Sequence, residues 1–136
     1  MRPLFAATLL PAVMVCLLPL TAAAQEVDCE NAEVQVELNF CAELDWQTAD
    51  ADLNEAYRAA LAMMQEIDAG LSQDEQGAAA FLRDGQRAWI TFRDATCAAE
   101  GYAMHGGSAE PMLIYGCYAR LTQTRADDLW MVAQAY

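Results

Sequence analysis

The sequence predicts an all-α domain, an antiparallel three-helix bundle stapled by two disulfides. Apolar residues recur at intervals of three and four, four cysteines follow an export-type leader, and no period-two strand pattern or internal repeat is present. In residues 1–24, Arg2 supplies a positive start, Leu4 to Leu20 is mostly apolar, and Ala22-Ala23-Ala24 offers small residues for cleavage. That is the pattern of a secretory signal peptide. Pro11 and Pro19 make it a poor membrane anchor, and Val13-Met14-Val15 is the wrong context for lipid attachment at Cys16. Cleavage after Ala24 leaves 112 of the 136 residues, a single domain over 25–136 that can bury a core of its own.

The first helix is expected from about residue 34, with Leu53, Ala56, Tyr57, Ala60, Leu61, Met64 and Ile67 on its apolar face and Gly70 at its end. A second is expected to open at the capping box Ser72-Gln-Asp-Glu75 and to bury Ala78, Leu82, Ala88, Trp89, Phe92 and Thr96. Gly77 and Gly85 fall inside it, a cost of about 1 kcal/mol each that close packing of a neighbouring helix would offset. A glycine-rich loop follows from Gly101 to Ser108. Pro111 then suits the first turn of a third helix, which is expected to reach about Ala135 and to bury Ile114, Cys117, Leu121, Leu129 and Val132. Short connections make successive helices antiparallel neighbours. Met63, Met64, Trp46, Tyr57, Trp89 and Phe92 are read as core rather than as a cofactor box.

After removal of the leader six arginines face twenty acids, a formal charge of −14, and the chain has no lysine. Such a surface excludes nucleic acid and anionic lipid as partners, keeps an exported monomer soluble and speeds encounter with a cationic protein. The even set Cys29, Cys41, Cys97 and Cys117 implies two disulfides in a periplasmic or secreted protein. An antiparallel hairpin brings Cys97 and Cys117 to similar height, which leaves Cys29 for Cys41 provided that Cys29 lies in a non-helical lead-in. Folding about Gly70 also brings Cys41 near Cys97, so all three connectivities stay open at this level.

No catalytic constellation stands out, and an enzyme is not expected. His105 is the only histidine, and a Cys-His nucleophile would need a free thiol. Neither a zinc site nor copper held by His105, Met104 and Met112 has the ligand pattern such sites need, so no metal or cofactor is expected. Arg87, Arg93, Asp94 and Arg125 are read as structural polar residues, with Arg93 pairing to Glu37 or Asp45 and Arg125 to Asp50 or Asp94. Asn39 and Asn54 are assigned to satisfying buried backbone or arginine groups. The loop differs from these, because exposed glycine-rich loops on rigid scaffolds concentrate binding function. Its candidate contacts are Met104, His105, Gly106, Gly107 and Ser108, flanked by Glu100 and Glu110.

Several blocks in order, with the cysteines interleaved, carry a resemblance. They are Glu37-Leu-Asn39-Phe-Cys41-Ala42, Ala49-Asp50-Ala-Asp-Leu53-Asn54-Glu-Ala-Tyr57, Gln86-Arg87-Ala88-Trp89-Ile90-Thr-Phe-Arg93-Asp94-Ala-Thr-Cys97, Gly106-Gly107-Ser108, and Thr122-Gln-Thr-Arg125 through Leu129. Together they look like the N-terminal domain of the LprI-type lysozyme inhibitor family and cover nearly all of the chain beyond the leader. The resemblance implies a small exported helical domain with paired cysteines and, for the member that names the family, inhibition of lysozyme; the expectation for this chain is binding to a cationic lysozyme-like protein. The alternative expectation is an envelope structural or stress-related interaction module. Val34 stands where the family often has threonine, so the first helix is expected to be capped elsewhere, by Asn31. The member that names the family is a lipoprotein, whereas this chain lacks a lipid-attachment context and is expected to be free of the membrane.

Overall fold

The computed structural model describes residues 27–134; the proposed leader and its cleavage site lie outside them. Three helices, α1 (Gln35–Ala69), α2 (Ala78–Gly101) and α3 (Glu110–Ala133), are joined by a turn and by a short 3₁₀ helix at Tyr102–Met104. The expected all-α bundle with two disulfides is present, and Cys29 is bonded to Cys41 and Cys97 to Cys117. At 35 residues and 1.5 Å per residue, α1 is about 52 Å long and forms the spine against which the two shorter helices lie. Successive helices run antiparallel, but the most extensive interface joins α1 to α3. These two run in the same direction: Asn39 meets Ser108, Trp46 stacks on Tyr115 and Tyr118, and Asp52 meets Gln123 and Trp130.

Small residues set that interface. Ala56, Ala60 and Ala126 are fully buried beside Leu53 and Leu129, and Tyr57, Leu82, Trp89, Trp130 and Val132 close over them. Alanines at the contact let the helix backbones approach closely, which compensates for the few large side chains that are completely enclosed. Of the residues expected in the core of α3, Cys117 and Leu129 are buried, while Ile114, Leu121 and Val132 are half-buried. Fully buried Thr122 has no hydrogen-bond partner for its hydroxyl.

The helix starts depart from the sequence expectation in two places. Asn31 does not cap α1. It donates to the Asp28 carboxylate in the lead-in, and α1 begins after extended Val34 with no side-chain cap. The bridge to Cys41 instead ties the lead-in down beside the second turn. Ser72 does not cap α2 either, because its hydroxyl is engaged by the carboxylates of Asp74 and Glu75 within a separate turn. The cap comes from the end of α1, where Asp68 accepts the N–H groups of Gly77, Ala78 and Ala79 at 2.9–3.0 Å. One carboxylate thus satisfies three of the four orphan donors and carries a negative charge at the positive end of the helix. The bonds from Gly77 and Ala79 hold the Asp68 carboxyl below its ordinary range, against an opposing effect of desolvation.

A third departure concerns the orientation of α2. Ala88 and Phe92, expected in the core, face outward with Phe81, and Gly85 faces open space rather than a packed helix. The buried positions are Ala79, Gln86, Cys97 and Gly101. Cys97 sets this rotation through its bond to α3: at 100° per residue, the nine residues back to Ala88 place that residue on the diametrically opposite side.

Asp68→Ala removes the cap and is expected to lower the melting temperature by a few degrees. A carboxylate whose pKa is lowered in the folded state stabilises above its ordinary range and loses that contribution as pH falls through its folded value. The gap between variant and parent in circular-dichroism melts should therefore close in strong acid. Thr122→Val replaces an unpartnered buried hydroxyl with a methyl group of similar volume and is expected to stabilise by about 1 kcal/mol in chemical denaturation.

Candidate functional site

The loop between α2 and α3 is held at every turn. Its two feet are joined by the Cys97–Cys117 bridge, whose sulfurs are buried between the helices. Closing a segment with a sequence separation of 20 is worth about 3 kcal/mol in the chain-entropy account. Gly101, expected to open the loop, is instead the last residue of α2. It is buried against Ile114, and a Cβ there would stand 2.6 Å from Ile114 Cγ1, so the junction requires glycine. Beyond the 3₁₀ turn, Gly106 adopts φ +73°, the left-handed conformation that glycine takes without strain.

Glu110, at the start of α3, organises the turn. One carboxylate oxygen accepts the Gly106 N–H at 2.8 Å, and the other lies 2.9 Å from His105 Nδ1. The bond with His105, then that from Gly106, holds the Glu110 carboxyl below its ordinary range. From α1, the Asn39 side chain donates to the Ser108 carbonyl at 2.9 Å and is itself oriented by Gln35. His105 stacks on Tyr102 with the ring planes 5° apart. Glu100, on the last turn of α2, forms an ion pair with Arg120 of α3.

What remains exposed is a compact knuckle formed by Tyr102, Met104, His105 and Ser108, with the His105 side chain 61% accessible. Beside it lies a groove of about 490 Å³ lined by Gly106, Gly107, Glu110, Pro111, Ile114, Tyr115 and Tyr118. The candidate residues Met104, His105, Gly106, Gly107 and Ser108 are therefore brought together at one end of the bundle. Glu110 lies inside their network, and Glu100 lies at its edge. Tyr102 and the tyrosine-lined groove were not singled out from the sequence. Nothing in the helical periodicity marks them, since Tyr115 and Tyr118 fit an ordinary packed face as well as a groove wall.

The polar residues read as structural are distributed differently. Arg93, its side chain only 11% exposed, sits between the rings of Trp89 and Tyr118 at 5.2 and 5.1 Å. It donates to Asp94 at 2.9 Å and reaches Asp50 on α1 at 3.9 Å, in place of Glu37 or Asp45. Arg125 donates to Gln86 rather than to Asp50 or Asp94, and Arg87 pairs with Asp84 on the surface. Asn54 turns back to Asp50 within its own helix. Among the described residues, no group of three or more His, Cys, Asp and Glu side chains is arranged to hold a metal ion, and no helix is long and apolar enough to cross a membrane.

The fold and the stapled loop define a class of small helical domain held by two disulfides. The chain belongs to the LprI family of lysozyme inhibitors, whose family model matches residues 28–129. It is 42% identical over 127 residues to an uncharacterized protein of Rhizobium meliloti strain 1021, with 91% of each chain covered. Its fold is also that of a DUF1311 family protein from Pseudomonas putida KT2440, known from a crystal structure. That likeness has a TM-score of 0.63 at 24% identity and covers 80% of this chain and all of the other.

Glu110→Gln is expected to reduce the hydrogen-exchange protection of the Gly106 amide roughly tenfold at neutral pH, by replacing a charge-assisted bond with a weaker neutral one. Because the Glu110 pKa is lowered in the folded state, protection in the parent should persist through mild acid and fall only as pH passes below the ordinary carboxylate range. The glutamine variant should lack that transition.

Proposed function

We propose that the domain is an exported inhibitor that binds a cationic lysozyme, with electrostatic approach followed by docking of the exposed segment from Tyr102 to Ser108. Membership of a lysozyme-inhibitor family supports the inhibitory role, and two disulfides support an oxidising compartment, periplasmic or extracellular. The observation that carries the loop assignment is the contrast between its backbone and its side chains. The backbone is fixed by the Cys97–Cys117 bridge, Asn39 and Glu110, while Met104, His105 and Ser108 remain open to solvent. Such preorganisation lowers the entropy lost on binding without any need for chemistry.

A lysozyme cleft holds two catalytic carboxylates, and any protruding polar group that occupies it excludes the sugar chain. The knuckle is of a suitable shape, with Tyr102 adding an aromatic contact and the adjoining groove able to receive a side chain from the enzyme's rim. Glu100 and Glu110 would favour that basic rim over the acidic centre. The formal charge of −13 on the full chain would steer a cationic enzyme and raise the association rate at low salt. In this reading the protein is not an enzyme and needs no cofactor.

Turbidity assays with peptidoglycan and a panel of cationic lysozymes test the proposal. Inhibition is expected at micromolar protein, and replacement of Met104, His105 and Ser108 together by alanine is expected to weaken it at least tenfold with the helical spectrum retained. Absence of inhibition across the panel at low salt would instead favour an envelope interaction module. Full inhibition by the triple variant, combined with loss on charge reversal of surface acids, would move the binding site from the loop to an acidic face.

A further inference from the structure

The outer face of α2 is apolar along almost its whole length. Phe81, Gly85, Ala88, Phe92, Ala95 and Ala99 are all exposed, with Phe81 at 79% and Phe92 at 57% accessibility, and nothing among the described residues covers them. Their spacing alternates four and three, the heptad spacing of a coiled-coil seam. This departs from an ordinary amphipathic surface helix, whose apolar stripe faces its own core. Here Gln86 and Arg93 lie on the inner side instead.

We propose that this seam is a homodimer interface, in which α2 packs antiparallel against α2 of a second copy about a twofold axis near residue 90. The order of side chains selects that occupant. In the antiparallel register that places Ala88 opposite Phe92, Phe81 falls opposite Ala99 and Gly85 opposite Ala95, so each phenylalanine meets an alanine. Each phenylalanine layer sets a large residue against a small one, the Gly85–Ala95 layers are small on both sides and let the backbones approach, and a twofold interface requires the same patch to be complementary to itself. The flanks agree. Asp84 stands opposite Ala98 and Thr91 opposite its own equivalent, so no like charges are juxtaposed along the seam of a chain with a formal charge of −13.

The available area fits a concentration-dependent dimer. At about 200 Å² for a phenylalanine, the exposed parts of Phe81 and Phe92 amount to roughly 550 Å² over two copies. The small positions and flanks raise the total to the order of 1,000 Å², near the lower limit for a specific interface. The monomer expected from composition would then be the dilute form. The two loops would emerge at opposite ends of the α2 pair, each free to bind.

Sedimentation equilibrium of the oxidised chain over a range of concentrations tests the proposal. A monomer–dimer equilibrium is expected that strengthens as salt screens the net charge. Phe92→Asp, at an exposed position, should raise the dimer dissociation constant at least tenfold with an unchanged helical spectrum. Orientation is read by thiol cross-linking: Thr91→Cys should link to itself across the axis, whereas Ala98→Cys should not, because its equivalents would lie about 24 Å apart. Self-linking of both variants would indicate parallel helices. That result, a strictly monomeric parent at millimolar concentration, or a dimer that Phe92→Asp leaves intact would each overturn the proposal.

Discussion

The close approach of α1 to α3 through alanine is the contact on which the rest of the structure depends. Ala56, Ala60 and Ala126 have no side-chain bulk to hold the backbones apart, and Leu53 and Leu129 complete the layer. Each alanine contributes little hydrophobic area, but the packing gained over a long parallel contact takes the place of large side chains in the core. Because α1 and α3 run in the same direction, the chain must return the full length of the bundle between them. That return is α2. The loop joining it to α3 is thereby carried back to the end where α1 begins, within reach of Asn39.

The polar contacts extend this arrangement. Asp52 on α1 accepts from both Gln123 and Trp130 of α3 and sets the height of one helix against the other at its middle. Asp68 performs a comparable task at the far end by gathering the first N–H groups of α2. Arg93 occupies the centre of the third interface, its guanidinium held between two aromatic faces and near two carboxylates. These are partly buried, oriented contacts, and their value lies in fixing alignment as much as in stabilisation.

The two disulfides act on different parts of this frame. Cys29–Cys41 restrains a lead-in that has no core of its own, whereas Cys97–Cys117 joins two helices that bury it completely. The second bridge has two structural consequences. It fixes the feet of the loop, so that Glu110 and Gly106 can shape a turn of only a few residues, and it fixes the rotation of α2 about its own axis. A loop that presents exposed side chains and a helix that presents an apolar outer face therefore both follow from one covalent link.

The sequence by itself determined the helix count, the ends of α1 and α3 to within a few residues, the favoured disulfide pairing and the family. Those properties rest on local periodicity, on Gly70 and Pro111 as boundaries, and on cysteine order along the chain. Only the tertiary structure decided which face of α2 is buried, because Ala88 and Phe92 suit a core by hydrophobicity and nothing local counts the 180° that separates Ala88 from Cys97. The start of α2 was hidden for a similar reason: Ser72 and Glu75 satisfy a local capping pattern, while the actual cap, Asp68, reaches across from another helix. The groove beside the loop likewise requires α3 to be placed against the turn before Tyr115 and Tyr118 can form a wall. Local patterns define elements, but the rotation and relative height of those elements depend on contacts between residues far apart in the chain, and the surfaces available for binding follow from them.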